Sequence, residues 1–256
     1  MLEPGIIARL KLLLLIRSMS LPHTILALHY WAGSGREYNV LRTLLPGETT
    51  LLAPDLPGFG SQAVPTGFDY SVRAYTDWIA DYMHQNVVGD FTLLGHSMSG
   101  KMALALAARR PVGLRRLVLL SPSPPAGEPM TDADRAASLA AYGKPAEAKK
   151  TFDKITCRAL PAALRAQVIA DNLRTTQAAW VTWLEAGARE DITALMPQLA
   201  VPCHLLVGEE DKPISPDKQR RLTLPLLPPG TPFTVVPGAG HLLPLEAAAQ
   251  VAHVLE

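Results

Sequence analysis

The sequence predicts an α/β fold in which a mostly parallel sheet is covered by helices on both faces. Short apolar runs of strand length alternate along the chain with longer stretches whose apolar residues recur at helical spacing. The strand-like runs are residues 24–29, 49–56, 91–95, 115–121, 203–208 and 233–238. Such alternation is typical of strands joined by helical crossovers, which form a parallel sheet that is buried on both faces.

The stretches between these runs have the pattern of helices. Residues 71–87 carry apolar side chains at helical spacing and begin at Ser71, whose hydroxyl is placed to cap a helix. Residues 36–45, 98–110 and 242–256 are interpreted as further helices of the same layer architecture.

The alternation breaks after the run 115–121. This run is the fourth in the chain, and it corresponds to the sixth strand in the numbering usual for sheets of this kind. The following residues are first rich in proline and then helical in composition, without another strand-like run. We therefore predict a helical cap over residues 122–192. It is inserted into a core that consists of residues 19–121 and 193–256.

Composition and charge restrict the possible functions. Of the 256 residues, 48% are hydrophobic and 18% are charged, so the chain can bury a large core. The 24 Lys and Arg residues balance 23 Asp and Glu residues, and a net charge of +1 offers no basic field for nucleic acid. Cys157 and Cys203 have no paired spacing, and we interpret both as reduced, buried thiols of a cytoplasmic protein. The sequence contains no metal-binding motif, and we predict no cofactor.

Residues 1–18 form an extension whose role the sequence leaves open. Its apolar run, residues 6–16, contains Arg9 and Lys11 and is shorter than the ~20 residues that cross a membrane. A secretory signal is disfavoured because no clear small-residue cleavage site follows the run. The remaining alternatives are an amphipathic helix packed on the body and an upstream extension before Met19.

A serine stands at a sharp corner between a predicted strand and a predicted helix. Ser97 follows the run 91–95, within the segment Gly-His-Ser-Met-Ser-Gly at residues 95–100. Ligands of parallel sheets bind at the carboxyl ends of strands, where the start of a helix also offers free N–H groups. A serine hydroxyl becomes a nucleophile when a base lies within about 3 Å and a third group orients that base. Asp211 and His241, which each follow a later strand-like run, are the candidates for these two roles.

Five motifs in their order along the chain resemble the α/β-hydrolase fold superfamily. They are LHYWAGSG (28–35), DLPGFG (55–60), GHSMSG (95–100), GEEDKPIS (208–215) and GAGH (238–241). The resemblance covers the chain from about residue 24 onwards, apart from the cap. It implies a catalytic triad in the chain order Ser97, Asp211, His241, and acyl transfer as the reaction.

The resemblance also implies an oxyanion hole formed by the backbone N–H groups of Trp31 and Met98. The family usually has His-Gly where this chain has His29-Tyr30, so the loop is either regular or the oxyanion hole is altered. Ser99 stands where the family pattern has glycine. Because serine is small, we expect the turn to form with Ser97 at positive φ.

A set of mostly aromatic residues is predicted to line the substrate pocket. The set consists of Tyr30, His96, Tyr142, Trp180 and Trp183. Tyr30 and His96 flank the predicted triad, and the other three residues belong to the cap. The alternative for the cap aromatics is that they only pack the cap onto the body. For Lys101, in the first turn of the helix after Ser97, we expect the ammonium group to reach solvent; the alternative is a position near the pocket, facing an anionic substrate.

The function predicted from the sequence is that of a serine hydrolase. It would cleave a small to medium carboxylic ester, or a thioester or lactone, through an acyl-enzyme on Ser97. A cofactor-free lyase that uses the same residues as acid and base, and a non-catalytic small-molecule binder, are the alternatives. The haloalkane dehalogenase and epoxide hydrolase branches of the superfamily carry aspartate at the position that corresponds to Ser97. The resemblance therefore disfavours both of these activities. The expected partner is an ester-like small molecule, with no nucleic acid and no membrane span, and the oligomeric state is left open.

Overall fold

Six parallel strands form the centre of the structure, a computed structural model that describes residues 23–256. They are β1 (Thr24–Leu28), β2 (Thr50–Leu52), β3 (Phe91–His96), β4 (Leu114–Leu120), β5 (Cys203–Gly208) and β6 (Phe233–Val236). Their order in the sheet is β2-β1-β3-β4-β5-β6, and every neighbouring pair is parallel. The predicted parallel sheet is therefore confirmed, whereas the predictions for residues 1–18 lie outside the described residues.

Helices cover this sheet. In chain order the α-helices are α1 (Asn39–Leu44), α2 (Val72–Asn86), α3 (Met98–Ala108), α4 (Asp132–Ala140), α5 (Pro145–Ile155), α6 (Ala162–Arg174), α7 (Gln177–Thr182), α8 (Pro216–Leu222), α9 (Leu243–Glu246) and α10 (Ala248–Leu255). Short 3₁₀ turns occupy Gly35–Tyr38, Thr193–Gln198 and Leu224–Leu226, and a π-helical turn occupies Trp183–Gly187. Across residues 23–256, no helix has both the length and the apolar character that a membrane span needs.

The strands consist of continuous apolar runs because both faces of the sheet are buried. Successive side chains of a strand point to opposite faces. In β1, Leu26 and Leu28 belong to the apolar cluster that includes α2 and α3, whereas Ile25 and Ala27 belong to the cluster that includes α1 and α10. Helices on both faces of a parallel sheet are the arrangement that the alternating pattern predicts.

Two predicted elements have different bounds in the structure. The run 49–56 contains only the short strand β2, because Pro54 and Pro57 follow it and proline has no N–H for a strand ladder. The predicted final helix is divided into α9 and α10 at Ala247, whose φ of −142° and ψ of 36° lie outside the helical region.

Helices α4 to α7 and the π turn lie between β4 and β5, where the sequence predicts the cap, and no strand interrupts this described segment. They contact the loop after β1 through two apolar clusters. One cluster contains Tyr30, Phe152, Val168, Leu242 and Leu245, and the other contains Ala32, Trp180 and Leu184. The loop after β1 is thus packed against cap residues on two sides.

The prediction that both cysteines are buried is correct for Cys203 and wrong for Cys157. Both thiols are free, and Cys157 is exposed. It follows the end of α5, where its backbone N–H donates to Glu246 Oε2 at 2.7 Å and its side chain stays at the surface.

The expectation that the Lys101 ammonium group reaches solvent is also wrong, because the cap covers the first turn of α3. The Lys101 side chain is fully buried, and its Nζ donates to the carbonyl oxygen of Glu190 at 2.8 Å. The carbonyl oxygens of Gly187 and Ala188 lie at 3.3 and 3.5 Å, and the centre of the Trp183 ring lies at 5.8 Å. The ammonium group therefore caps the end of the π turn and joins the body to the cap.

Burial lowers the pH at which Lys101 loses its proton. Burial lowers the pKa of Lys101 from 10.5 to about 8, although the nearby carboxylates of Glu128, Glu190 and Asp191 act to raise it. Between these two pH values the unfolded chain binds more protons than the folded chain. The free energy of unfolding therefore rises with pH across this window.

We expect Lys101→Met to remove this contribution. The free energy of unfolding of the wild type minus that of Lys101→Met should increase by about 2 to 3 kcal/mol between about pH 7 and about pH 10. Urea unfolding at each pH measures the difference. Lys149→Met, which replaces an exposed lysine of α5, is the matched control and should give a constant difference. A constant difference for Lys101→Met as well would contradict the expectation.

Candidate active site

The turn between β3 and α3 places Ser97 at the carboxyl edge of the sheet. Ser97 has a φ of 53° and a ψ of −117°, a conformation that residues other than glycine rarely adopt. The surrounding backbone is too close for side chains: a Cβ on Gly95 would lie 2.7 Å from Ala103 Cβ, and a Cβ on Gly100 would lie 2.5 Å from Pro122 Cβ. The two glycines let the strand and the helix meet closely enough to hold this turn.

Ser99, which replaces the glycine of the family pattern, ties the turn to the neighbouring strand. Its hydroxyl donates to the carbonyl oxygen of Leu28 in β1 at 2.6 Å and accepts from the backbone N–H of His96 at 3.1 Å. The turn forms with Ser97 at positive φ, as the small side chain led us to expect.

The three residues predicted as the triad lie in one hydrogen-bonded chain. His241 Nε2 lies 2.9 Å from Ser97 Oγ, and His241 Nδ1 lies 2.7 Å from Asp211 Oδ2. The other oxygen of Asp211 accepts the backbone N–H of Ile214 at 2.8 Å. When the Nδ1–H group of His241 donates a hydrogen bond to Asp211, Nε2 carries no proton and is free to accept a hydrogen bond from the serine hydroxyl.

The electrostatic surroundings favour the protonated form of His241. Burial by itself lowers the pKa of His241, but nearby carboxylates, chiefly that of Asp211, together more than offset this effect. Glu128 and Glu37 add to the same attraction, so the pKa of His241 lies above its ordinary value of 6.5. A base of raised pKa is a stronger proton acceptor once it is neutral.

The loop that carries His241 is fixed by Glu246, a residue that sequence reasoning missed. The buried Glu246 carboxylate accepts the backbone N–H groups of Gly240 at 3.0 Å and Leu242 at 3.1 Å, on either side of His241. The same carboxylate accepts the N–H of Arg158 at 2.9 Å, just after α5. One side chain thus holds the histidine loop and the cap together.

His96 was predicted to line the pocket, and this prediction is wrong. The fully buried ring lies beneath the site, where Nε2 donates to the carbonyl oxygen of His241 at 2.9 Å. Its Nδ1 lies 3.0 Å from Glu37 Oε2, in a contact that sequence reasoning also missed. These two contacts hold the imidazole away from the cavity and support the backbone of His241.

The loop after β1 presents the predicted second donor, the N–H of Trp31. Its left-handed residue is Ala32, with a φ of 63°, so Tyr30 is not forced into that region. Within residues 23–256, the backbone N–H groups of Trp31 and of Met98, at the start of α3, have no hydrogen-bond acceptor. Both remain able to donate to a ligand oxygen.

Two buried polar side chains anchor this loop. His29 Nε2 accepts the N–H of Leu56 at 3.0 Å, and His29 Nδ1 donates to the carbonyl oxygen of Tyr30 at 2.8 Å. The ring is neutral in this arrangement, and burial lowers the pKa of His29. Asp171 of α6 accepts the hydroxyl of Ser34 at 2.8 Å, which joins the far end of the loop to the cap.

A cavity of about 260 Å³ is lined by Ser97 and His241. Of the predicted pocket residues, Tyr30, Trp180 and Trp183 line this cavity. Trp31 lines it as well, and the centres of the Trp31 and Trp180 rings are 4.2 Å apart. Further apolar lining comes from Met130, Phe152, Ile155, Val168, Leu184 and Ile214. The wall is therefore mainly aromatic and aliphatic.

Tyr142 was also predicted to line the pocket, and this prediction is wrong. Its hydroxyl donates to the carbonyl oxygen of Thr175 at 3.1 Å, and its ring centre lies 5.7 Å from that of Trp180. Tyr142 therefore packs within the cap behind Trp180, which is the alternative role considered for the cap aromatics.

Charged side chains on the cavity wall were not predicted from the sequence. Glu128 and Asp134 lie at the start of the cap, and Lys154, Lys212 and Lys218 lie on α5 and around the start of α8.

In the part of the chain that the structure describes, no group of three His, Cys, Asp or Glu side chains is arranged to hold a metal ion.

Solved structures with the same architecture include two esterases. An esterase from Exiguobacterium antarcticum superposes with a TM-score of 0.82 at 18% identity, over 91% of this chain and 90% of that chain. A thermophilic esterase from Thermogutta terrifontis superposes with a TM-score of 0.75 at 25% identity, over 91% of this chain and 87% of that chain.

The curated relatives match either over a short stretch of the chain or, over most of it, at 28% identity. A probable serine hydrolase from Drosophila melanogaster is 34% identical over 100 residues, which are 37% of this chain and 29% of that protein. The first curated relatives are thus matched over less than a third of their own length. The 2-succinyl-6-hydroxy-2,4-cyclohexadiene-1-carboxylate synthase of Enterobacter sp. (strain 638) is 28% identical over 240 residues, 89% of this chain and 88% of that protein.

The family assignment rests on a match to a whole family over most of the chain, rather than on any one of these pairwise similarities. Residues 25–254 match the alpha/beta hydrolase family, a span that includes the sheet, the cap, and the hydrogen-bonded chain of Ser97, His241 and Asp211. The chain therefore belongs to the alpha/beta hydrolase family.

Proposed function

We propose that this protein is a serine hydrolase that cleaves a small to medium carboxylic ester through an acyl-enzyme on Ser97. The observation that carries the proposal is the hydrogen-bonded chain from Ser97 through His241 to Asp211 on the wall of an apolar cavity. Membership of the alpha/beta hydrolase family and the structural similarity to esterases support it. Thioesters and lactones present the same carbonyl carbon and fall within the proposal.

Acylation begins when His241 Nε2 removes the hydroxyl proton of Ser97 as Oγ attacks the carbonyl carbon of the ester. Asp211 keeps the proton on Nδ1 and stabilises the imidazolium that forms. The bond between Oγ and the carbonyl carbon forms while the carbonyl π electrons move to oxygen. A tetrahedral intermediate with one negative oxygen results.

The negative oxygen is stabilised by backbone N–H groups. We assign this role to the N–H groups of Met98 and Trp31, which are free of other acceptors in the described chain. Met98 also begins α3, where the helix dipole favours negative charge. Removal of one such donor typically costs about 10² to 10³ in rate, so the shape of the loop around Ala32 is important for turnover.

The intermediate collapses when His241 donates its proton to the leaving alcohol, which leaves the acyl group on Ser97. In deacylation, water loses a proton to His241 and attacks the acyl carbon. The carboxylic acid then leaves as Ser97 Oγ recovers its proton from His241. The sum of the two halves is hydrolysis of one ester to one acid and one alcohol, with Ser97 and His241 regenerated.

A second candidate function is suggested by the match to a relative that is named a synthase over 89% of this chain. The alternative considered from the sequence is a lyase. In such an enzyme His241 would move a proton on the substrate, and no acyl group would be transferred to Ser97. Mass spectrometry of the protein quenched during turnover of a slow ester distinguishes the two functions. An adduct of the acyl mass on the peptide that contains Ser97 supports the hydrolase, whereas a lyase would turn over only substrates other than esters and would give no such adduct. Binding without any turnover would instead indicate a non-catalytic binder.

The triad assignment predicts strongly non-additive losses. We expect Ser97→Ala or His241→Ala to lower kcat by about 10⁴ or more on the best of a series of 4-nitrophenyl esters, from acetate to palmitate. The double variant should lose little more, because the two residues act as one unit. His253→Ala, which replaces an exposed histidine of α10, should retain activity. Independent, multiplicative losses from the two changes would contradict the assignment.

The raised pKa of His241 predicts the acid side of the pH profile. Because only neutral His241 can accept the serine proton, kcat/KM should fall as the pH is lowered through a midpoint above 6.5. Glu128→Gln removes one carboxylate that raises this pKa, so the midpoint should move to lower pH. Kinetics across the pH range measure both midpoints.

Glu185→Gln provides the matched control for this measurement. Glu185 is exposed in the π turn and does not line the cavity, so the same loss of one charge should leave the midpoint in place. A wild-type midpoint below 6.5, or equal shifts for the two variants, would contradict the electrostatic explanation.

A further inference from the structure

Three lysines on the cavity wall have no role in the proposed chemistry. Lys154, Lys212 and Lys218 line the same cavity as Ser97 and His241. We refer to these three side chains as the lysine rim. Lys212 and Lys154 are exposed, and Lys218 is partly buried. Their ammonium groups can therefore stay hydrated at the open side of the cavity while their positive potential extends into it.

Backbone contacts fix two of these lysines next to the triad. The carbonyl oxygen of Ile155 accepts the backbone N–H of His241 at 2.8 Å, and Lys154 is the preceding residue. Lys212 directly follows Asp211, whose carboxylate binds His241. Lys154 and Lys212 are thus each adjacent in the chain to a residue that is hydrogen-bonded to His241.

Lys218 reaches the same wall from α8. Its Nζ donates to the carbonyl oxygen of Pro213 at 2.8 Å, and Pro213 itself lines the cavity. The ammonium group has two further N–H donors, because a carbonyl oxygen occupies only one of the three.

Neighbouring carboxylates do not neutralise the lysine rim, because they are engaged elsewhere. Asp153 pairs with Arg165 at 3.1 Å, and Asp217 pairs with Arg220 at 2.9 Å. Within residues 23–256, none of the three rim lysines has a carboxylate oxygen within 4.0 Å.

The two carboxylates on the cavity wall interact with groups other than the lysine rim. Asp134 accepts the hydroxyl of Thr131 at 2.6 Å as part of the cap of α4. Burial raises the pKa of Glu128, and Lys101 and Arg135 lie close enough to attract its charged form. The backbone N–H of Glu128 donates to the carbonyl oxygen of Ala188 at 2.7 Å, which places the backbone of Glu128 beside the π turn.

We propose that the lysine rim is an anion-binding subsite, and that the preferred substrate is an ester which also carries a carboxylate or phosphate group. The proposal deepens the proposed function and rests on it. Apolar side chains that line the cavity together with the rim, among them Phe152, Val168 and Ile214, would contact the hydrocarbon chain that links the ester to the anion. Half-esters of dicarboxylic acids are the simplest substrates with this combination of groups.

The size of the effect follows from the exposure of the lysines. An exposed ion pair contributes little, so each lysine should change the preference for an anionic ester by about twofold to fivefold. The three lysines act on one anion, and their combined effect should reach at least about tenfold. Added salt should weaken the preference, because exposed charges are screened.

Matched ester pairs test the subsite. For the acyl side, kcat/KM is measured for monomethyl adipate and for methyl hexanoate, whose acyl chains have the same length. For the alcohol side, the pair is 4-acetoxybenzoate and phenyl acetate. The measured quantity is the anionic-to-neutral ratio of kcat/KM within each protein, so that general losses of activity cancel. The arm that shows the larger ratio identifies the side of the ester that carries the anion.

The variants are Lys154→Gln, Lys212→Gln, Lys218→Gln and the triple combination. We expect the ratio to fall by about twofold to fivefold for each change and by at least about tenfold for the triple variant. Lys154→Arg keeps the charge and should keep the ratio. Lys149→Gln is the matched control, since it removes an exposed charge from the same helix, α5, outside the cavity lining. Raising the salt concentration from about 0.05 M to about 0.5 M should lower the wild-type ratio and leave that of the triple variant unchanged.

Two outcomes separate this inference from the proposed function. Ser97-dependent turnover of the neutral esters, with equal ratios in the wild type and the triple variant on both arms, overturns the subsite and leaves the hydrolase standing. If no ester of either pair and no 4-nitrophenyl ester is turned over, the proposed function fails. The subsite is then tested by calorimetric binding of monomethyl adipate and methyl hexanoate to Ser97→Ala, with and without the triple change. Equal affinities for the two ligands in Ser97→Ala overturn the subsite as well.

Discussion

The close approach of β3 and α3 around Ser97 is the constraint on which the rest of the structure depends. A side chain at Gly95 would collide with Ala103, and one at Gly100 would collide with Pro122, so glycine is required at both positions. The close approach holds Ser97 in a strained conformation whose cost, of order 1–3 kcal/mol, is offset by the surrounding packing. The same turn sets the carboxyl edge of the sheet as the place where the loops after β1, β5 and β6 converge.

Buried carboxylates hold these converging loops in position. Glu246 binds the backbone on both sides of His241, and Asp171 binds Ser34 at the end of the loop after β1. Glu37 contacts His96, which in turn supports the carbonyl oxygen of His241. A buried carboxylate is costly unless its oxygens accept hydrogen bonds, so Glu246 and Asp171, whose oxygens do accept them, favour one arrangement of the loops around them. The geometry between His241 and Ser97 therefore depends on side chains that do not touch the cavity.

The cap uses positive charge in two different ways. Lys101 is fully buried and donates to cap carbonyl groups, so its ammonium group acts as a structural link between the body and the cap. The lysine rim lies on the cavity wall and forms no ion pair within the described chain, so its charge remains available to a ligand. In a chain with a net charge of only +1, this local excess arises because Asp153 and Asp217, which precede Lys154 and Lys218 in the chain, pair with arginines. Burial, rather than residue type, separates the two roles.

The sequence by itself determined the sheet, its burial on both faces and the corner at Ser97. Those features are local, since apolar runs, proline positions and small residues around a turn act on residues close to them in the chain. It also indicated Asp211 and His241, because each directly follows a strand whose carboxyl end must meet the same edge. The tertiary structure alone decided that Lys101 is buried, that Cys157 is exposed, and that His96 and Tyr142 lie outside the cavity wall. It likewise decided which lysines meet at the cavity. These outcomes depend on which surfaces the cap covers, and hence on contacts such as Lys101 with Glu190, 89 positions apart, that no local pattern specifies.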